Sequence, residues 1–456
     1  MNNFKEFFKG KKITLMGLGL LGRGVGDALF LAESGAQLTI TDLKSEEQLK
    51  ESLKKLKKFD KIKYVLGQHR LEDFRNCDLV LKAAGVPLNS PYIKEARKNK
   101  IPIKMSAAIF TKLCGLPVIG ITGTRGKSTV THLIGHILKL AGRKVILGGN
   151  VRGVSNLQLL KKVRQSDLAV LELDSWQLQG FGEEKISPHI SVFTNFLSDH
   201  VNYYKDNLKQ YFIDKSQIFK YQKKGDTLIL GEQIKKIQNS IRQPADKIQN
   251  SKVIVVKKNI LPKSWEVKIP GEHNRENIAC AMMACRCLGV SEEHIKNGVE
   301  SFVGVPGRLE FLRSINGIKI YNDNSSTTPE ATIVALRAVG DQKNRAVVLI
   351  IGGDNKSLDT TKLIKEIPKF CSKVVLFKER GTDLIRDQVF KLRKKGIDVY
   401  EEEGLKKTVQ RAFFVAQSGD TILYSPAFSS FGKYFKNEYD RGDQLIKIVK
   451  KLKVKN

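Results

Sequence analysis

The chain has 456 residues, enough at about 100 to 200 residues per domain for roughly three domains and a large buried core. Hydrophobic residues make up 41% and charged residues 28%, with 12 Pro and 37 Gly, values that exclude disordered and collagen-like chains. Lys plus Arg outnumber Asp plus Glu by 79 to 47, and the formal charge of +32 suits nucleic acid, anionic lipid or a phosphate-bearing substrate without choosing among them. No apolar run reaches the ~18 residues of a membrane helix, because the best N-terminal candidate, Ile13 to Leu21, is broken by Gly17 and Gly19. That run also lacks a small-residue cleavage site, so no signal peptide is expected. Six cysteines without paired spacing point to a reducing cytoplasm, and Cys280, Cys285 and Cys287, in an Ala-rich and Met-rich helical stretch, read as small core fillers.

In chain order, a strand at Lys12 to Met16, the loop GLGLLGRG, a helix from about Val25 to Ser34 and a strand at Gln37 to Thr41 form a βαβ unit. Gly17, Gly19 and Gly22 match G-x-G-x-x-G, and Asp42 follows Gly22 by 20 positions, where a ribose-binding acid sits in dinucleotide-binding proteins. The physics asks for a diphosphate at a helix N-terminus, with glycines so that no Cβ blocks the approach. Taken alone the unit says NAD.

A second phosphate signal follows. The apolar run LPVIGI leads into TGTRGKST and a helix, Val130 to Leu140. The strict P-loop spacing would put a glycine where Ile121 stands, yet Gly123, Gly126, Lys127 and Ser128 keep the chemistry. Backbone amides cradle phosphates, Lys127 neutralises the β/γ oxygens, and the Ser128 hydroxyl ligates Mg²⁺. ATP is the expected nucleotide. A buried strand, Asp167 to Leu173, carries Glu172 near its end, and Ile190 to Thr194 delivers Asn195, Asp199 and His200 onto the following loop. Loops at the carboxyl ends of parallel strands are where ligands bind.

Leu228 to Val267 is a Lys-rich run of short elements with no visible chemistry. GEHNRENIACAMMA opens a helix at about Arg275, and GVPGRLEFL marks a boundary near Gly304 to Gly307. Strands at Lys319 to Asn322, Ala346 to Ile351 and Thr421 to Tyr424 then lead into NDNSSTTPEAT, GGDNKSLD and SPAFSSFG, so this last domain also reads as doubly wound. The basic runs at 54 to 63 and at the C-terminus read as solvated faces, since no aromatic platform alternates with them.

Taken together and in this order, the motifs resemble the Mur ligase family, the ATP-dependent amide-forming enzymes of peptidoglycan precursor synthesis. GITGTRGKST is similar to the family's phosphate loop, GEHNRENIACA to its adenine-side segment, and VPGRLEFL with YNDNSSTTPEAT to its C-terminal entry; SPAFSSFGKYFKNEYDRG is the most specific match. The resemblance implies three α/β domains: a Rossmann-like UDP-substrate domain at 1–104, a central P-loop-type ATPase domain with a mostly parallel sheet at 105–306, and a Rossmann-like C-terminal domain at 307–456. It transfers the first diphosphate site from NAD to UDP, with Gly19, Leu20, Leu21, Asp42 and Asn150 on the UDP substrate.

The resemblance further implies a carboxylate activated by ATP as an acyl phosphate and then captured by an amine. UDP-N-acetylmuramoyl-L-alanine, D-glutamate and ATP are the implied substrates, with two Mg²⁺ ions. Gly123, Thr124, Gly126, Lys127, Ser128, Thr129, Asn274, Asn277, Arg308 and Asp323 would hold ATP. Ser128, Glu172, His200 and a carbamylated Lys215 would serve the metals, Lys127, His200 and Lys215 being catalytic, and Lys356, Ser430, Phe431 and Phe435 would form the D-glutamate pocket. A cytoplasmic monomer with no membrane or nucleic-acid partner is expected. Departures from the family pattern stand at Arg125 (commonly Asn), Asp174 (Ser), AAGV at 83 to 86 (an SPG turn), Asn202 (Asp), Ser325 (Lys) and the extra residue in KYF at 433 to 435. A ligase adding another amino acid, an NAD-dependent oxidoreductase and a basic nucleic-acid-binding protein are the alternatives.

Overall fold

The computed structural model describes residues 4–197, 199, 201–205, 207–234, 251–355, 358–430 and 432–453. Three sheets are strung along the chain. β1 (Lys12–Met16), β2 (Gln37–Asp42), β3 (Lys63–Leu66), β4 (Leu79–Lys82) and β5 (Ile103–Lys104) form the first, all parallel, in the order β3-β2-β1-β4-β5. Chain direction reverses across the sheet between β1 and β4, which opens a crevice at their carboxyl ends. The Gly17–Gly22 loop leaves β1 there, and residues 83–86 leave β4 beside it.

The second sheet holds β6 (Val118–Thr122), β7 (Val145–Gly149), β8 (Leu168–Glu172), β9 (Ile190–Phe193), β10 (Thr227–Gly231) and β11 (Lys252–Val256), all parallel, in the order β11-β10-β9-β6-β8-β7. β6, β8 and β9 are buried on both faces, which is why they read as unbroken apolar runs. The switch point falls at β6, between β8 and β9, so the loops after β6, β8 and β9 share one rim. Ile121, at the position of the missing P-loop glycine, lies inside β6 and pairs with Glu172 and Val192, so the loop proper begins at Gly123. The helix after it runs Lys127–Leu140 and starts three residues before the expected Val130, because Gly126 takes the left-handed cap at φ +83°.

The third sheet contains β12 (Glu310–Ile315), β13 (Ile318–Asn322), β14 (Val347–Ile351), β15 (Cys371–Phe377), β16 (Asp398–Glu402) and β17 (Thr421–Tyr424), ordered β12-β13-β17-β14-β15-β16. It is parallel except for the edge strand β12, which turns back onto β13 through Asn316 and Gly317, both with positive φ as a tight hairpin requires.

The chain divides into two compact units, Met1–Trp265 with Glu276–Val299, and Glu266–Arg275 with Glu300–Asn456. In the first, one hydrophobic cluster runs through both sheets: Ile13, Leu15, Ile40 and Leu81 belong to it together with Val118, Ile146, Leu171, Leu157 and Phe110. The second has clusters on both faces of its sheet, around Leu349 and Phe370 on one side and Val348 and Phe413 on the other. The helix Glu272–Cys287 corrects one expectation. Cys280 and Cys285 are buried core fillers, but Cys287 is exposed at the helix end, and no metal-ligating cluster occurs among the described residues.

Candidate active site

The loop Gly123–Gly126 connects β6 to the helix Lys127–Leu140 and is closed by steric necessity at two glycines. A Cβ on Gly123 would lie 2.0 Å from Thr194 Oγ1, and one on Gly126 2.1 Å from Asn277 Oδ1. The first turn of the helix presents Ser128 and Thr129, both largely buried, at a helix N-terminus whose dipole suits an anion. Lys127 folds back over the loop, its Nζ donating to the carbonyls of Gly123 (3.0 Å) and Thr124 (3.1 Å).

Lys215 reaches the same carbonyl from the helix Leu208–Lys220, Nζ donating to Gly123 O at 2.9 Å. It is 1% exposed, unlike most lysines of this basic chain. Burial, reinforced by the Lys127 charge, pushes its pKa well below that of an ordinary lysine. A lysine that gives up its proton more readily presents the neutral amine, whose nitrogen can attack the carbon of CO₂. Its neighbour Asp214 accepts from Gln179 Nε2 (2.7 Å), Tyr204 OH (2.9 Å) and Gln210 Nε2 (2.8 Å), which fixes the helix at that point.

Glu172 ends β8 on the same rim and is 3% exposed. Asn150 donates its backbone N–H to Glu172 O (2.6 Å) and its Nδ2 to Glu172 Oε1 (3.3 Å). Its own Oδ1 and carbonyl oxygen accept from Arg23 Nη1 (2.6 Å) and Nη2 (3.1 Å). The Ser128 hydroxyl and the buried Glu172 carboxylate are hard oxygen donors of the kind Mg²⁺ prefers, so these residues fit the ion.

Arg125 is fastened to the loop after β9. Its N–H donates to Asn195 Oδ1 (2.9 Å), its carbonyl accepts from Thr194 Oγ1 (2.7 Å), and its guanidinium lies 3.3 Å from Asp199. Asp174 caps the helix Ser175–Glu184, accepting from Gln177 N at 2.7 Å, while Gln177 Oε1 accepts from Asp174 N. A serine would serve the same cap, which explains why this departure is tolerated. His200 and the Asn202 side chain lie outside what the structure describes.

In the first sheet, Asp42 is engaged by backbone, accepting from Gly19 N and Lys44 N at 2.9 Å each. Leu20 is 48% exposed beside it and Leu21 half-buried. Lys82, buried at the end of β4, donates to the carbonyls of Ala83, Ala84 and Val86, and burial draws its pKa down to about 8. The ammonium thereby orders the AAGV loop that stands in place of an SPG turn.

In the helix Glu272–Cys287, Asn277 packs on Gly126, and Asn274 Nδ2 donates to Pro270 O. In the second unit, Asp323 is buried, its pKa pushed up to about 6 by burial against hydrogen bonds from Ser326, Ser425 and Leu309 N, with the Arg308 charge nearby. Ser325 N donates to Gly307 O. Ser430 is buried, whereas Lys356 and Phe431 fall outside the described residues. Phe435 is buried, its ring 5.7 Å from the Phe377 ring.

Three family models match consecutive stretches: "Mur ligase MurD-like, N-terminal domain" at 11–104, "Mur ligase middle domain" at 121–285 and "Mur ligase, glutamate ligase domain" at 307–428. The chain belongs to the Mur ligase family. Curated relatives named UDP-N-acetylmuramoylalanine–D-glutamate ligase include those of Roseiflexus sp. (strain RS-1), 34% identical over 96% of this chain and 98% of the relative, and Borreliella afzelii (strain PKo), 34% identical over 97% and 98%. Among solved structures, UDP-N-acetylmuramate-alanine ligase from Thermotoga maritima superposes with a TM-score of 0.60 at 18% identity, covering 96% of this chain and 99% of that one. Folylpolyglutamate synthase from Mycobacterium tuberculosis gives 0.55 at 14% identity over 71% and 92%. The first superposition shows a shared α/β fold over nearly the whole chain, and the second over 71% of it.

Within this Mur ligase the structure adds residues that sequence reasoning passed over. Arg441, 0% exposed, donates through Nε to Asn324 Oδ1 (2.7 Å), through Nη2 to Asn324 O (3.0 Å) and through Nη1 to the carbonyls of Phe428 and Ser429. It binds the loops after β13 and β17 together. Its place in the YDRG motif was the available signal. Arg23 and Asp27, on the helix after the first glycine loop, carried none.

Proposed function

We propose that the chain joins D-glutamate to the alanyl carboxylate of UDP-N-acetylmuramoyl-L-alanine, coupled to cleavage of ATP to ADP and phosphate. The observation that supports this reading is that Lys127 and buried Lys215 both donate to the Gly123 carbonyl, in a chain that aligns over nearly its whole length with ligases of that name. Domains at 1–104, 105–306 and 307–456 would hold the UDP substrate, ATP and the incoming amino acid.

A carboxylate is a poor acyl donor, because an amine would have to expel oxide from it. A carboxylate oxygen of the alanyl group therefore attacks the γ-phosphorus, ADP leaves, and an acyl phosphate forms. The amine of D-glutamate then attacks the carbonyl carbon, and the tetrahedral intermediate expels phosphate as the nitrogen loses a proton. Lys127 would exchange its two carbonyl contacts for phosphate oxygens and follow the developing charge. Gly123, Thr124, Gly126 and Thr129 would supply backbone and hydroxyl donors, with Asn274, Asn277, Arg308 and Asp323 on the rest of the nucleotide. Ser128 and Glu172 would hold one Mg²⁺, and a carbamate on Lys215 with His200 a second; bound there, the ions screen phosphate charge.

Gly19, Leu20, Leu21, Asp42 and Asn150 would hold the UDP substrate, its diphosphate at the helix that opens at Arg23. Lys356, Ser430, Phe431 and Phe435 would form the D-glutamate pocket, the lysine and the hydroxyl orienting the two carboxylates. A cytoplasmic monomer fits the nucleotide-linked substrates; among the described residues no helix is long and apolar enough to cross a membrane. The test is a ligation assay with a panel of D- and L-amino acids. D-Glutamate should give product with stoichiometric ADP and phosphate, and Lys127→Ala should abolish it; turnover with a different amino acid only would overturn the substrate assignment.

A further inference from the structure

The helix that begins at Arg23 bears directly on the first glycine loop, since Gly22 is its left-handed cap. The same helix is joined to residues 150–158 of the central sheet's rim at three successive points. Arg23 grips Asn150 through both terminal nitrogens. One turn on, the fully buried Asp27 accepts from Ser155 Oγ (2.6 Å) and Leu157 N (3.3 Å). Between them Gly26 lies so close to Ser155 that a Cβ would sit 2.4 Å from the serine's own, and Gly26 O accepts from Gln158 Nε2 at 3.0 Å. The loop at one end of this assembly suits a diphosphate, and Asn150 at the other is bonded to Glu172.

Arg23 has a further peculiarity. Its Nη1 and Nη2 are satisfied by Asn150, but its Nε is buried with no acceptor among the described residues. A buried donor that finds no acceptor is costly. A guanidinium at a helix N-terminus, with one donor unmet, is poised to turn toward an anionic oxygen delivered to the adjoining glycine loop. Any such turn carries its two bonds to Asn150, whose N–H and Nδ2 hold the backbone and side chain of Glu172.

We propose that Arg23 is a positioning residue that couples occupancy of the diphosphate loop to the placement of Asn150 and Glu172, so that the UDP-linked substrate and the metal-bound nucleotide strengthen each other's binding. The proposal rests on the ligase reading above. Arginine is required because its planar fork grips two oxygens of Asn150 at once, whereas a lysine offers a single point charge.

The experiment measures the dissociation constant of Mg²⁺-bound non-hydrolysable ATP, by titration calorimetry, with and without saturating UDP-N-acetylmuramoyl-L-alanine. Wild-type protein should bind the nucleotide about 5-fold or more tightly with the second ligand present, the lower end of ordinary site coupling. In Arg23→Ala and Arg23→Lys the ratio should fall to about 1, and the Mg²⁺ concentration for half-maximal ligation should rise. Thermal unfolding of both variants separates this from loss of fold, and the lysine variant stands in where alanine fails to fold. Both ligands binding to wild type without mutual effect, or a variant that keeps the wild-type ratio, would overturn the proposal. Failure of wild type to bind either ligand would instead refute the ligase reading.

Discussion

Asp27→Asn tests whether the contact between the first two sheets contains a carboxyl group that resists ionisation. Burial raises the Asp27 pKa from 3.8 to about 6, against hydrogen bonds from Ser155, Leu157 N–H and Ser106 that favour the charged form. Below pH 3.8 the acid is protonated in folded and unfolded chains alike, and its contribution to stability is fully present. As pH rises toward 6 the unfolded chain ionises first, and stability drains away by about 3 kcal/mol in total at ~1.36 kcal/mol per unit. Between pH 5 and 7.5 the loss is about 1.4 kcal/mol, because part of it has already occurred by pH 5. Asparagine keeps an oxygen for Ser155 and Leu157 N–H but cannot ionise. Whatever its offset at pH 5, the variant should therefore gain about 1.4 kcal/mol on the wild type by pH 7.5. Urea unfolding followed by tryptophan fluorescence reads this out, since Trp176 and Trp265 both lie in the first unit. A stability gap that stays constant across that range, or moves the other way, would show that Asp27 titrates as an exposed carboxylate and would refute the reasoning.

Burial and the Lys127 charge lower the Lys215 pKa well below that of a surface lysine, which favours the neutral amine that attacks CO₂. Ligation by wild-type protein should fall in CO₂-free buffer and return with bicarbonate, while Lys215→Ala should be inactive and insensitive to bicarbonate; an alanine variant that responds to bicarbonate would place the effect elsewhere. Arg441→Lys keeps the charge but supplies fewer of the four hydrogen bonds seen, and should destabilise the second unit by about 2 to 3 kcal/mol. A raised KM for D-glutamate should accompany the lower unfolding midpoint, and unchanged stability would show that the buried fork is dispensable.

Elements buried on both faces were legible because their composition is nearly all apolar: β6, β8, β9, β14 and β17 fall within a residue or two of where the pattern puts them. The helix after the phosphate loop was placed late because Lys127, Ser128 and Thr129 are polar, and only the left-handed geometry of Gly126 shows that they are already helical. The phosphate chemistry itself was readable, since glycine, lysine and hydroxyl at fixed spacing follow from what a phosphate needs. Asp174 was taken as a departure although Asp174 and Gln177 spell a capping box, a local signal that needed no tertiary knowledge. Arg23, Asp27, Lys82 and Arg441 are a different matter. Each is a charged side chain made unusual by partners 1 to 130 positions away, and no periodicity encodes that.

The single hydrophobic cluster shared by the first two sheets has a consequence for how such ligases diversify. The face that Ile13, Leu15 and Leu81 offer is continuous with the one completed by Phe110, Leu157 and Leu171. The N-terminal domain is therefore not a cassette that recombination can swap at residue 104. A graft from a sibling enzyme would have to bring the segment from Ala107 to Val163 with it, or leave greasy surface bare on both halves.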